Sequence, residues 1–200
     1  VVPLQESLGG EIVLHGSAVS SSAGALLFVA SSGYGKSTLV AYLSLQGYPL
    51  LTDDAALLQR EQGCTTLRPG SPSVRLWGDS LHALALEDKS TQPGGEYTDK
   101  YRVEVKSRNQ GNQQAQPLGA IFMIGDRCVQ EPQLDKAKGG DTLVQLVQHC
   151  YALPTLSKER KSHNLRKLAE LLDGVPVWHL DYPHSYDALP VIAALLPPGP

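Results

Sequence analysis

Lys36, Ser37 and Thr38 stand where a helical pattern begins, just after a loop of small residues, Ala30-Ser31-Ser32-Gly33-Tyr34-Gly35. An apolar run of strand length, residues 25–30, leads into that loop. This order of residues can hold phosphate. The N–H groups of such a loop and of the following helix N-terminus converge on an anion, and the helix dipole adds partial positive charge. The cradle would run through Ser32, Gly33, Tyr34, Gly35, Lys36, Ser37 and Thr38. Lys36 would reach the outer phosphates of a nucleotide, and the Ser37 hydroxyl would hold Mg²⁺. The spacing Ala30-x-x-x-x-Gly35-Lys36-Ser37 departs from the strict P-loop pattern only at its first position. Ala serves there provided that its φ stays negative.

Phosphoryl transfer also needs a carboxylate for the metal and a group to deprotonate the attacking hydroxyl. Two strand ends could supply them: Leu50-Leu51-Thr52-Asp53-Asp54, and Ile121-Phe122-Met123-Ile124-Gly125-Asp126. Strands that run parallel to the phosphate-loop strand end on its edge of the sheet, so either could face the loop. The pair is the stronger candidate, with one carboxylate on Mg²⁺ and the other as base; Asp126 reads as a turn residue. Which of Asp53 and Asp54 takes which part is open at this stage. Two like charges sharing one cleft would push one pKa up, toward the value that a base needs.

The elements that must position these groups can be read from the pattern. Residues 11–20 read as one strand carrying His15, turning near 20–24 into the strand 25–30. A helix over 37–46 stops at Gly47, and a short strand 48–52 runs into the acid pair and resumes after a bend at 55–58. Strands at 64–68, 73–77 and 100–106 make a β-rich middle, and a polar loop at 107–117 precedes a buried strand at 120–124. Helices follow near 141–152, 157–172 and 187–196, capped by Asp141, Ser157 and Asp187, with a strand at 175–181. The expected fold is a single α/β P-loop domain over residues 1–200 with a mixed central sheet.

Three stretches carry a family resemblance: Leu14-His15-Gly16; Ala30 to Ser37; and Gly47-Tyr-Pro-Leu-Leu-Thr-Asp53-Asp54. Together they resemble the catalytic domain of the HPr serine kinase/phosphorylase family. The match is closer to the shorter HPr-kinase-like proteins found beside peptide-modification genes, lasso-peptide tailoring kinases among them. The ending Val175 to Pro183, with Leu189-Pro190, is similar as well. The resemblance is specific over roughly residues 11–58 and implies the fold shared with phosphoenolpyruvate carboxykinase. It implies ATP and Mg²⁺ as cofactors and a serine hydroxyl of a peptide or small protein as acceptor. By position, the family's P-loop Lys and Ser fall on Lys36 and Ser37, its acidic pair on Asp53 and Asp54, and its early His on His15. His15 then belongs near the γ-phosphate or the acceptor. Hexamers in the related family leave room for a homo-oligomer. The family's downstream glycine-rich signature has no match here, so the resemblance carries over neither HPr as acceptor nor the reverse phosphorolysis.

Other residues read more plainly. Arg127 could neutralise charge on the transferred group, and Lys100, Arg102 and Lys106 share a strand face that could touch phosphate. The basic run Lys158–Lys167 is the wet side of a helix that turns Leu165, Leu168, Leu171 and Leu172 inward. His179, Asp181 and His184 make a poor metal triad because Pro183 separates the last from the others. Trp77 and Trp178 read as core or half-buried residues. With 42% hydrophobic and 18% charged residues the chain is globular, and a net charge of −3 gives no electrostatic case for nucleic acid. No apolar run is long enough for a membrane span, and three scattered cysteines suit a reducing cytoplasm. The chain starts at Val1, without Met or a signal peptide, as a trimmed piece would. The resulting expectation is an ATP- and Mg²⁺-dependent serine kinase in the cytoplasm. The alternatives are an ATP-binding switch or scaffold without catalysis, and a kinase of a small-molecule hydroxyl.

Overall fold

The structure is a computed structural model that describes residues 11–93, 99–105, 114–125, 129–137, 141–151 and 158–200. Arg127, Asp126, Lys106, Ser157 and most of the polar stretch 107–117 lie outside these residues.

Its centre is the hairpin of β2 (Gly16–Ser21) and β3 (Gly24–Val29), followed by the loop and α1 (Lys36–Leu45). β3 is buried on both faces, as its uninterrupted apolar run requires. Leu26 and Phe28 point to the α1 side, where Leu39, Val40 and Leu43 meet them; Ala25, Leu27 and Val29 point to the other. β10 (Gln116–Ile124) runs parallel to β3 and sets Phe122 beside Phe28, the rings stacked with centroids 5.2 Å apart. β10 begins at Gln116, earlier than the polar composition suggests, because Gln116 and Pro117 pair with Leu67 and Thr66; Ser20 also donates a hydrogen bond to the Gln116 side chain.

β4 (Leu50–Thr52) pairs antiparallel with β2, which is itself antiparallel to β3. β3 and β4 therefore run the same way, and the acid pair after β4 reaches the edge where the phosphate loop stands. β12 (Val177–Asp181) pairs parallel with β10, and β11 (Gln133–Lys136) lies outside it. The sheet is mixed. It also branches: β1 (Ile12–Leu14), β5 (Ala56–Glu61) and β6 (Cys64–Arg68) join it at the first residues of β10.

This branch corrects the single strand expected over 11–20. The chain breaks at His15, with β1 pairing to β5 and β2 pairing to β3 and β4. A second, three-stranded sheet of β7 (Ser73–Leu76), β9 (Tyr101–Glu104) and β8 (Ser90–Pro93) packs on the α1 side. α2 (Gly78–Ala83) follows β7, and α5 (Leu189–Leu195) also joins this layer. The opposite face is covered by α3 (Asp141–Val147) and α4 (Lys158–Leu171) through Leu146, Leu168 and Leu171.

Three expectations on the periphery change. α3 stops at Val147, because the next residues leave the helix to pair with β1: Tyr151 N–H donates to Val13 O at 2.8 Å, and His15 N–H to His149 O at 2.6 Å. Leu165 is exposed rather than turned inward. At the C-terminal turn Ser185, not Asp187, is the cap, its hydroxyl accepting from Asp187 N–H at 3.2 Å.

Removing a large side chain from β3 is expected to be costly to the whole fold. Leu26→Ala should destabilise by about 3 kcal/mol, since the cavity cannot collapse between two covered faces. That corresponds to a fall of roughly 6–12 °C in melting temperature for a chain of this size, read by thermal unfolding.

Candidate active site

The loop between β3 and α1 adopts the strand–loop–helix geometry of a P-loop. Gly33 and Gly35 take φ of 90° and 82°, the left-handed region that spares them a Cβ penalty. At Gly35 the need is also spatial: a Cβ would lie 2.8 Å from the Tyr182 hydroxyl, which donates to Tyr34 O at 3.1 Å and pins the loop. α1 has no acidic residue in its first turn, so its positive end keeps its attraction for an anion.

Lys36 is 7% exposed and its ammonium donates to Ala30 O at 2.9 Å and Ser31 O at 3.1 Å. Burial holds its pKa down to about 8, against the opposing pull of Asp53 and with Lys100 adding to the fall. A cation held this way is short of counter-charge, which a phosphate would supply.

Asp53 and Asp54 lie opposite the loop, and their surroundings differ. Asp53 Oδ1 accepts from Ser17 Oγ at 2.6 Å and from Ser37 Oγ at 2.8 Å, while Oδ2 accepts from the Arg75 N–H at 3.0 Å. Asp54 bonds neither serine. Its carboxylate Oδ2 accepts from the Arg75 guanidinium, and Oδ1 lies 3.3 Å from His15 Nδ1. The two carboxylates therefore have different partners, hydroxyls on Asp53 and a guanidinium on Asp54. Asp54 has φ 80°, a backbone state that Asp and Asn tolerate better than most residues. Its carbonyl fixes that state, accepting from the Tyr151 hydroxyl at 3.1 Å and facing His15 Nδ1 at 3.0 Å.

His15 owes its place to the strand break: as the hinge residue between β1 and β2 it turns into the cleft. Its pKa is lowered by burial first, then by Lys36, so the ring is neutral near pH 7. Nδ1 faces two oxygens of Asp54 and, at 3.2 Å, the Tyr151 hydroxyl; the two Asp54 oxygens only accept, which favours the tautomer with the proton on Nδ1.

A cleft of about 320 Å³ is lined by loop residues Ser32 to Thr38 except Tyr34, by His15, Ser17 and Asp54, and by Arg75 and Lys100 opposite; Asp53 lies behind Ser17 and Ser37 rather than on its wall. The Tyr34 ring does not line the cleft and packs edge-on against His184, the ring centres 5.8 Å apart. Arg102, paired with Lys100 in the sequence reading, spends its guanidinium on the hydroxyls of Ser71 and Ser73. Trp77 is 48% exposed on the cleft wall, not core, with the Lys100 ammonium 5.3 Å from its ring centre; Trp178 is half-buried, as expected. Thr38 Oγ1 meets Ser80 Oγ at 3.0 Å, which meets the Tyr186 hydroxyl at 3.3 Å, tying α2 and the C-terminal turn to the loop.

A hydroxyl beside one carboxylate is an all-oxygen donor set, suited to Mg²⁺ that is also held by nucleotide phosphates. Among the described residues no group of three or more His, Cys, Asp or Glu could hold a metal, the sequence's His179, Asp181 and His184 included. No described helix is long and apolar enough to cross a membrane.

Two groups of consequence were not singled out in the sequence: Arg75 and Tyr151. The signal for Arg75 is slight, one cation alternating with Val74 and Leu76 in a four-residue strand. Tyr151 follows the end of α3 and reaches Asp54 only through the β1 pairing.

Fold and loop together define a mixed α/β protein of P-loop type. No protein-family model matches the chain, and no curated protein matches it. Among solved structures, the HPr(Ser) kinase/phosphatase from Coxiella burnetii is similar over 90% of this chain and 84% of that one. The TM-score is 0.47 and the sequence identity 12%, a likeness of chain course.

Proposed function

We propose that this chain is an ATP- and Mg²⁺-dependent kinase that transfers the γ-phosphate to a serine hydroxyl of a peptide or small protein. The observation that carries the reading is the Ser37–Asp53 hydrogen bond at the mouth of the P-loop, with Asp54 beside it and not on it. Ser37 and Asp53 would hold Mg²⁺, which offsets charge on the β- and γ-oxygens when bound. Lys36 would leave the loop carbonyls for those same oxygens. Asp54 would take the proton of the acceptor hydroxyl as its oxygen bonds to phosphorus and the bond to the β-phosphate oxygen breaks, releasing ADP. His15, neutral and hydrogen-bonded to Asp54, would orient that carboxylate. Serine and a peptide acceptor rest on the sequence resemblance. The exposed Cys64 and half-buried Cys150 thiols fit a reducing cytoplasm.

The test is transfer from γ-labelled ATP with Mg²⁺ to a panel of serine peptides, small proteins and free metabolites. Label on a seryl side chain is expected. Label only on a metabolite removes the peptide acceptor. Binding of ATP with no transfer to any acceptor makes the chain a nucleotide-responsive switch instead.

A further inference from the structure

We propose that Arg75 is a phosphate-responsive latch on the acid pair: its guanidinium holds Asp54 until a triphosphate is present, then moves to the γ-phosphate and frees the base. The inference rests on the kinase reading above and assigns a catalytic group to it.

β7 fixes the backbone of Arg75 firmly. Val74 and Leu76 on either side are buried at 0% and 1% exposure, and Arg75 pairs with Arg102 across β9. Its N–H stays on Asp53 Oδ2. The side chain is another matter, 46% exposed and lining the same cleft as Lys36 and Ser37. One residue therefore touches both carboxylates, one through a rigid backbone and one through a long, movable arm.

Competition decides where that arm rests. A half-exposed pair with one carboxylate is weak. A terminal phosphate offers more charge and the same forked geometry, and guanidinium binds it in two-pronged fashion. Asp54 has less reach, because its backbone carbonyl is held by Tyr151 and faces His15 and its short side chain also lies 3.3 Å from His15 Nδ1. Movement of Arg75 therefore separates the pair. The consequence is a base engaged while no donor is present and released when one is bound.

The test is equilibrium binding of Mg²⁺-ADP and of a Mg²⁺-bound non-hydrolysable ATP analogue to wild type, Arg75→Gln, Arg75→Lys, Asp54→Asn and the double variant Arg75→Gln/Asp54→Asn. Thermal unfolding checks that each variant is folded. Arg75→Gln should weaken the ATP analogue by roughly tenfold or more while leaving ADP within about twofold, a charged hydrogen bond lost to one ligand alone. Arg75→Lys should recover part of that preference. Asp54→Asn should tighten the ATP analogue about threefold or more by removing the competitor for Arg75, and that gain should vanish in the double variant. Equal loss for both nucleotides, or an Asp54→Asn gain that survives without Arg75, overturns the latch and leaves the kinase reading intact. A wild type that binds neither nucleotide overturns both.

Discussion

Asp54→Asn should abolish phosphoryl transfer, by a factor of at least 10³, in a protein that still folds and binds ATP at least as well as wild type. Loss of a positioned base alone is worth about 10²–10⁴. The fold should tolerate the change because asparagine is at home at φ 80°, and the backbone carbonyl that Tyr151 grips is unaltered. The Ser17 and Ser37 hydrogen bonds belong to Asp53 and remain. Single-turnover transfer measured beside calorimetric ATP binding separates the outcomes. Transfer that survives the change removes Asp54 as base; ATP binding lost together with transfer makes it a structural residue.

Lys36→Met should act far more on function than on stability. The ammonium is nearly buried and carries a desolvation cost, visible as a pKa of about 8. An apolar chain of similar length has no such cost, but it leaves Ala30 O and Ser31 O without their donor, so the two effects oppose and the melting temperature should change little. ATP affinity should drop on the order of 10²-fold, from lost charged hydrogen bonds, and transfer further, toward 10³-fold. Calorimetry with Mg²⁺ and ATP, paired with thermal unfolding, reads both. A variant that binds ATP as wild type does would remove Lys36 from the phosphate site and the P-loop reading with it.

What could be read from the chain itself was local. The hairpin, the glycine-marked loop, α1 and the acid pair are each set by residues within a few positions of one another, and the structure has them where the pattern puts them. His15 was legible as a residue near the site but not as a strand break, because the break comes from pairing with β5 some forty residues on. The asymmetry of Asp53 and Asp54 was hidden for the same reason: Ser17 and Arg75, which distinguish them, come from other strands. Arg75 sits in an alternation that looks like any half-exposed strand. Trp77 read as core or half-buried since aromatic bulk is usually buried, and it stands about half exposed as a wall of the cleft. α3 was drawn too long, a helical pattern being unable to foresee that its last residues are claimed by the edge of β1.

The cradle is held by the chain's own contacts: its glycines keep their turns, Tyr182 pins its rim and Lys36 spans the loop's carbonyls. Little chain entropy remains to be lost on capture, since two cationic arms are what must swing. Arrival should then be governed by encounter, nearly alike for mono-, di- and triphosphates, and the ranking among them should be written in how long each one stays.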